Sequence, residues 1–173
     1  MGLRTVARSG CLVVALILLP AAALAVEAPK ITATSLPSPL PRPYNETADA
    51  KADVDRAIAR AKASGKHVLL DFGGNWCADC RVLAAVMDLN EVRPHIERHF
   101  ETAMIDIGLR TKNLDIAARY GIKVDAVPLV IVLDSAGGFV NSGNPTALAD
   151  ARSMRAQAIV DTIFGWLAPA PRN

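Results

Sequence analysis

Apolar residues recur along residues 47–167 with two different periods, and the switches between them outline a layered domain. Over 47–64, Val54, Ile58 and Ala61 fall at helical spacing on one face, and Gly65 ends the run. The stretch 67–72, apolar except for His67 and Asp71, then reads as a buried strand, with Gly73 and Gly74 as the turn that follows it. Helical spacing returns over 81–89 through Val82, Leu83, Val86 and Met87, and over 91–100, where Pro94 suits a first turn. A strand is expected over 102–107, and a helix over 112–120 closed by Gly121 in a left-handed cap. Residues 127–133 form a strongly apolar strand. Ser135, Ala136, Gly137 and Gly138 turn it towards a short partner strand at 139–140. A last helix over 150–167 carries Met154, Ala158, Ile159, Ile163 and Leu167. Strands alternating with helices describe an α/β domain with a central sheet flanked by helices. The terminal hairpin makes that sheet mixed rather than wholly parallel.

The pattern changes before residue 46. Pro29, Pro37, Pro39, Pro41 and Pro43 punctuate residues 26–45, so this segment is expected to be extended, as a tether or as an ordered arm. Residues 30–34 have the composition of an edge strand. The first 25 residues differ again: Arg4 and Arg8 precede an apolar run that Pro20 breaks, followed by Ala23, Leu24 and Ala25. That is the pattern of a secretory leader cleaved after Ala25. The apolar stretch is short against the ~20 residues that span a bilayer, so no stable membrane insertion is expected after cleavage. The domain organisation read from the sequence is therefore a leader at 1–25, a Pro-rich segment at 26–45 and one α/β domain at 46–169. The protein is expected to be periplasmic or otherwise exported.

Cleavage changes both the charge and the cysteine inventory. The chain has 19 basic and 17 acidic residues; loss of Arg4 and Arg8 leaves 17 of each. With no basic excess, nucleic-acid binding has no compositional support. Cys11 leaves as well, so the exported chain keeps two cysteines, Cys77 and Cys80. An oxidising compartment favours a disulfide between them. A bridge closing so short a loop constrains few unfolded conformations, which argues for chemistry over stapling.

Cys77 and Cys80 sit where a strand hands over to a helix. Unpaired N–H groups and the helix dipole at that position stabilise a thiolate on the first cysteine. Cys80, one turn further in, is placed to close the ring. Position alone assigns attack to Cys77 and resolution to Cys80. Trp76, just before the pair, would partly shield it and offer a flat apolar surface to a docking chain.

A metal site is the main rival. Cys77 and Cys80 followed by His95 and His99 satisfy a loose zinc spacing, and a pair of thiolates alone suits a copper or other metal chaperone. If 78–99 is helical, His95 lies on the order of 20 Å from Cys77, too far to share an ion. His95 and His99 are then read as a solvated helix face. A third reading is a redox-inert adhesion or scaffold module.

The run Asp71-Phe72-Gly73-Gly74-Asn75-Trp76-Cys77-Ala78-Asp79-Cys80 resembles the active-site segment of the thioredoxin superfamily. Val127-Pro128, after Tyr120-Gly121-Ile122, resembles that family's cis-proline position, and the order of elements over 47–167 follows its fold. The resemblance implies a thiol–disulfide oxidoreductase acting on protein thiols and disulfides with a redox partner protein. No organic or metal cofactor is implied, because the dithiol is itself the redox group. It also implies that Asp71 is a buried carboxylate taking the proton of Cys80, and that Pro128 is cis, holding the Val127 backbone against the disulfide to pair with an extended substrate.

The sequence departs from the family between the cysteines, where Ala78 and Asp79 replace the common Gly-Pro. The Asp79 charge would work against a thiolate on Cys77, which leans the expected chemistry towards reduction or isomerisation. Asn75 takes a place often charged. Added length at 108–113 and 122–126 alters the loops near the site.

Overall fold

The computed structural model describes Gly2 and residues 26–168. The expected leader at 1–25, with Cys11, and the last residue of the expected domain lie outside the described residues. The elements are α1 (Ala50–Ser64), β1 (His67–Gly73), α2 (Ala78–Met87), α3 (Arg93–His99), β2 (Phe100–Asp106), α4 (Leu114–Ala118), β3 (Leu129–Leu133) and α5 (Ala156–Gly165), with a 3₁₀ turn at Ala151–Ser153. The three strands form one sheet in the order β2-β1-β3, with β1 parallel to β2 and antiparallel to β3. The sheet is mixed, as expected, but the antiparallel partner is β3 itself. The anticipated hairpin at 139–140 shrinks to a single bridge between Leu133 and Phe139.

The central place of β1 explains why its apolar residues fall on both alternations: it is covered on both faces. Val68, Leu70 and Phe72 join the core that contains Val54, Ala57 and Ala61 of α1 and Ile105, Ile116 and Ile131. Leu69 joins the opposite core with Leu83, Val86, Ile96, Val132, Ile159 and Phe164. By strand alternation Asp71 and Gly73 share the face of Leu69, the side that α2 covers. α1 is closed by Asp49, whose side chain accepts from Ala52 N, and by Gly65 with φ 76°.

Several boundaries move for identifiable reasons. α2 begins at Ala78 because Cys77 is its N-cap. α4 is shorter than expected, since Asn113 sits in the left-handed region (φ 59°) and donates through Nδ2 to the Asp106 carbonyl, 2.8 Å. The expected helix over 150–167 is broken: the 3₁₀ turn ends at Met154, whose backbone is extended, and α5 starts only after Arg155.

Residues 26–45 are an ordered arm without helix or strand, so the edge strand at 30–34 does not form. Side chains, not a neighbouring strand, take up the backbone groups there. Ile31 N donates to Gln157 Oε1 (2.9 Å), Gln157 Nε2 donates to the Pro29 carbonyl (3.0 Å), and Ala33 N donates to Glu91 Oε1 (3.0 Å). Val26, Ala28, Ile31 and Leu36 lie against the second core. Among the described residues no helix is long and apolar enough to cross a membrane.

Candidate functional site

Gly74 accepts from the N–H of Cys77 (3.0 Å), and this turn carries the chain from β1 into α2. Cys77 caps the helix; its Sγ accepts from the N–H of Cys80 at 3.1 Å. The two cysteines form a disulfide with Cα atoms 5.3 Å apart. Cys80 is fully buried and Cys77 nearly so. The exposed end of the bridge therefore belongs to Cys77, at the positive end of the helix. Ala78, the first residue of α2, is half-buried beside it.

On the other side of the sulfur stands the loop before β3. The Val127–Pro128 bond is cis, both residues are buried, and the Val127 carbonyl oxygen lies 3.8 Å from Cys77 Sγ. Cys77, Cys80, Val127 and Pro128 are thus brought together, although Cys77 and Val127 are 50 positions apart in the chain.

Asp71 is completely buried. Its Oδ2 accepts from the Tyr44 hydroxyl at 3.0 Å, and its Oδ1 has no hydrogen-bond partner. Burial pushes its carboxyl up to about 7, against the pull of the Tyr44 hydrogen bond, which favours the charged form. The link between Asp71 and the cysteines is spatial: a Cβ on Gly73 would stand 2.7 Å from Cys80 Sγ and closer still to the Tyr44 hydroxyl. Only a glycine leaves room there for both the sulfur and the phenol.

Trp76 is half-exposed, and its Nε1 donates to the Gly108 carbonyl (2.6 Å). The Arg110 guanidinium lies over its ring, 5.8 Å from the centroid. The added length at 108–113 therefore packs against Trp76, and a shallow groove runs between Trp76, Leu109, Lys112 and Glu46. Lys112 bridges this loop to the rest, with Nζ 2.6 Å from Asp106 Oδ2 and donating to the Glu46 carbonyl.

Asp79 is not a bare charge. Its Oδ1 accepts the backbone N–H of Arg152 (2.9 Å) and its Oδ2 accepts Arg152 Nε (3.0 Å). Partial burial opposes its ionisation, but the hydrogen bonds and charge of Arg152 hold it below the usual carboxylate range. The charge that the sequence places near Cys77 is thus paired with Arg152.

The expectation for the histidines is corrected. His95 and His99 are half-buried and pack edge-on against Phe164, with centroids 6.4 and 6.0 Å apart, because α5 covers that flank of α3. They are not a solvated face. Among the described residues no group of three or more His, Cys, Asp or Glu side chains is arranged to hold a metal.

Tyr44, Arg81 and Arg152 escaped the sequence reading. Tyr44 was the one aromatic residue in a proline-rich run, an available but weak signal. Arg152 and Arg81 carry no local sign of the partners they reach across the fold.

A family model described as thioredoxin-like matches residues 49–135, half of the chain. Among solved structures, a disulphide isomerase from Xylella fastidiosa Temecula1 superposes with a TM-score of 0.68 at 38% identity. The match covers 74% of this chain and 98% of that one. Two curated relatives are the thiol:disulfide interchange protein DsbD of Cronobacter sakazakii and a thioredoxin H-type of Fagopyrum esculentum. The first is 31% identical over 101 residues, 57% of this chain but only 17% of its own length. The second is 35% identical over 75 residues, 43% of this chain and 57% of its own length. The chain thus spans less than two thirds of either curated relative. With its three-stranded mixed sheet, its Cys77–Cys80 bridge at a helix start and these matches, the chain belongs to the thioredoxin-like family.

Proposed function

We propose that this protein is an exported thiol–disulfide oxidoreductase that exchanges the Cys77–Cys80 pair with protein thiols and disulfides. The observation that carries this reading is the bridge itself: it opens a helix, exposes only its Cys77 end, and has the Val127 carbonyl 3.8 Å from Cys77 Sγ. In the reducing direction, the Cys77 thiolate attacks one sulfur of a partner disulfide. A mixed disulfide forms and the partner's other sulfur leaves with the electron pair. Cys80 then gives its proton to Asp71 and attacks Cys77 Sγ. The internal disulfide forms, the mixed one breaks, and the partner ends two electrons richer. A second protein's dithiol returns those electrons to the pair, so no separate cofactor is required.

Val127 and Pro128 would present their backbone to an extended substrate, with Trp76 as the apolar platform at its edge. Ala78 and Asp79 tune the pair from the first helical turn. The preference for reduction or isomerisation draws support from two similar proteins, a disulphide isomerase and a thiol:disulfide interchange protein. The charge of Asp79 supports it less than the sequence suggested, because Arg152 offsets that charge. Export is supported by the leader pattern of residues 1–25. Among the described residues no convergent donor set favours the metal-chaperone alternative.

The test is dithiol-dependent reduction of insulin by the wild-type protein and by Cys77→Ser. Turnover by the wild type and its loss in the variant are expected. Equal rates from the two would refute the assignment.

A further inference from the structure

The arm before the domain reaches into the site at one residue. Tyr44 is 3% exposed and is held by its backbone: its N–H donates to Asn75 Oδ1 (3.2 Å), and its carbonyl accepts Asn75 Nδ2 (2.8 Å). Asn75 Nδ2 also reaches Glu46 Oε1 at 3.0 Å, and Arg81 Nε donates to the Pro41 carbonyl at 2.9 Å. Two residues of the cysteine-bearing segment, Asn75 before the pair and Arg81 just after it, therefore buckle the arm down. The result is that the Tyr44 hydroxyl donates to Asp71 Oδ2 and, like Cys80 Sγ, lines the space that the missing Cβ of Gly73 leaves open.

We propose that Tyr44 is the positioning residue for proton transfer at Asp71: its phenol holds Oδ2, so that Oδ1 alone exchanges the proton with Cys80. This rests on the oxidoreductase reading above. In the resolving step the S–H bond of Cys80 breaks, its proton passes to Oδ1, and the sulfur's electron pair makes the new bond to Cys77. Tyr44 keeps its own proton throughout. Burial, with Asp71 and Asp106 nearby, pushes its phenol far up, so it remains a donor.

The groups around the carboxyl are few. The arm supplies Tyr44, α2 supplies Cys80, and β2 supplies Asp106, which is neutralised by Lys112. The neighbours of Asp71 across the sheet, Met104 on β2 and Val130 on β3, do not titrate, and the buried positions of α1 are apolar. Tyr44 is therefore the polar group with most leverage on this proton.

The experiment follows the Asp71 side-chain carboxyl by ¹³C NMR titration of the oxidised protein, wild type against Tyr44→Phe. In parallel it follows the acid limb of the reduction rate. Losing the phenol should raise the carboxyl midpoint by roughly half to one pH unit. The acid limb should move up with it, lowering the rate below the midpoint about three- to tenfold. In Asp71→Asn the limb should vanish, and adding Tyr44→Phe should change it no further. Should Tyr44→Phe fail to fold, Asn75→Ala keeps the phenol but loosens its hold and should move both midpoints the same way. Unmoved midpoints in a folded variant with normal exchange chemistry would overturn the role of Tyr44 alone. A wild type that exchanges no disulfides would remove the functional reading and this proposal with it.

Discussion

Arg152 grips the Asp79 carboxylate twice, through its backbone N–H at 2.9 Å and its Nε at 3.0 Å, from 73 positions further along the chain. The contact ties the first turn of α2 to the 3₁₀ turn before α5 and brings a positive charge to the acid beside Cys77. An anion next to a thiol disfavours the thiolate, and its counter-charge relieves that effect. Arg152→Ala should therefore raise the Cys77 pKa in the reduced protein by about half a unit. Asp79→Ala should lower it by less than an unpaired acid would, because Arg152 already offsets the charge. Thiolate absorbance against pH in both variants measures this. A Cys77 midpoint indifferent to both substitutions would remove Asp79 from the tuning of the pair.

Asp71 couples its own titration to stability. Its carboxyl is raised from an ordinary value near 3.8 to about 7, so between those values the folded state binds more protons at this site than the unfolded state. The contribution of Asp71 to stability is thus intact below about pH 4 and declines as pH rises, reaching its full loss above about 7. Asp71→Asn mimics the protonated form and should escape that loss. Relative to wild type, it should gain stability across this window, by on the order of 4 kcal/mol at pH 8 for the oxidised protein. Urea melts at pH 4.5 and pH 8 give the comparison. A difference that does not grow with pH would mean that the carboxyl titrates near its ordinary value.

Gly73 tests the packing beneath the disulfide. A methyl there would lie 2.7 Å from Cys80 Sγ and meet the clamped Tyr44 ring, and both neighbours are buried. Gly73→Ala should cost about 1–3 kcal/mol of stability, as overpacked cores do. It should also displace the phenol from Asp71, so its carboxyl should titrate higher. A variant as stable as wild type would show that the cavity is looser than its geometry implies.

Much of this was legible in the sequence because it is local. The β1 run, the glycine stops at Gly65 and Gly121, and the cysteines at a strand-to-helix junction each follow from residues within a few positions. The roles expected of Asp71, Val127 and Pro128 come from a resemblance that carries long-range information no periodicity holds. What stayed hidden depends on pairs far apart: Tyr44 with Asp71, Asp79 with Arg152, and His95 and His99 with Phe164. The broken last helix was hidden for a similar reason. Its apolar spacing continues through Met154, but the Arg152 backbone N–H is committed to Asp79, and the chain turns there before α5 begins.

The central claim is that Cys77 attacks and Cys80 resolves, and trapping tests it most directly. With Cys80→Ala the attack should proceed and the release should not, so the reduced variant mixed with a disulfide-bonded protein should accumulate a covalent complex. Peptide mass spectrometry should place its single intermolecular bridge at Cys77. Cys77→Ala, by contrast, should trap little, because Cys80 Sγ is buried. A complex formed equally well through Cys80, or none through Cys77, would contradict the account.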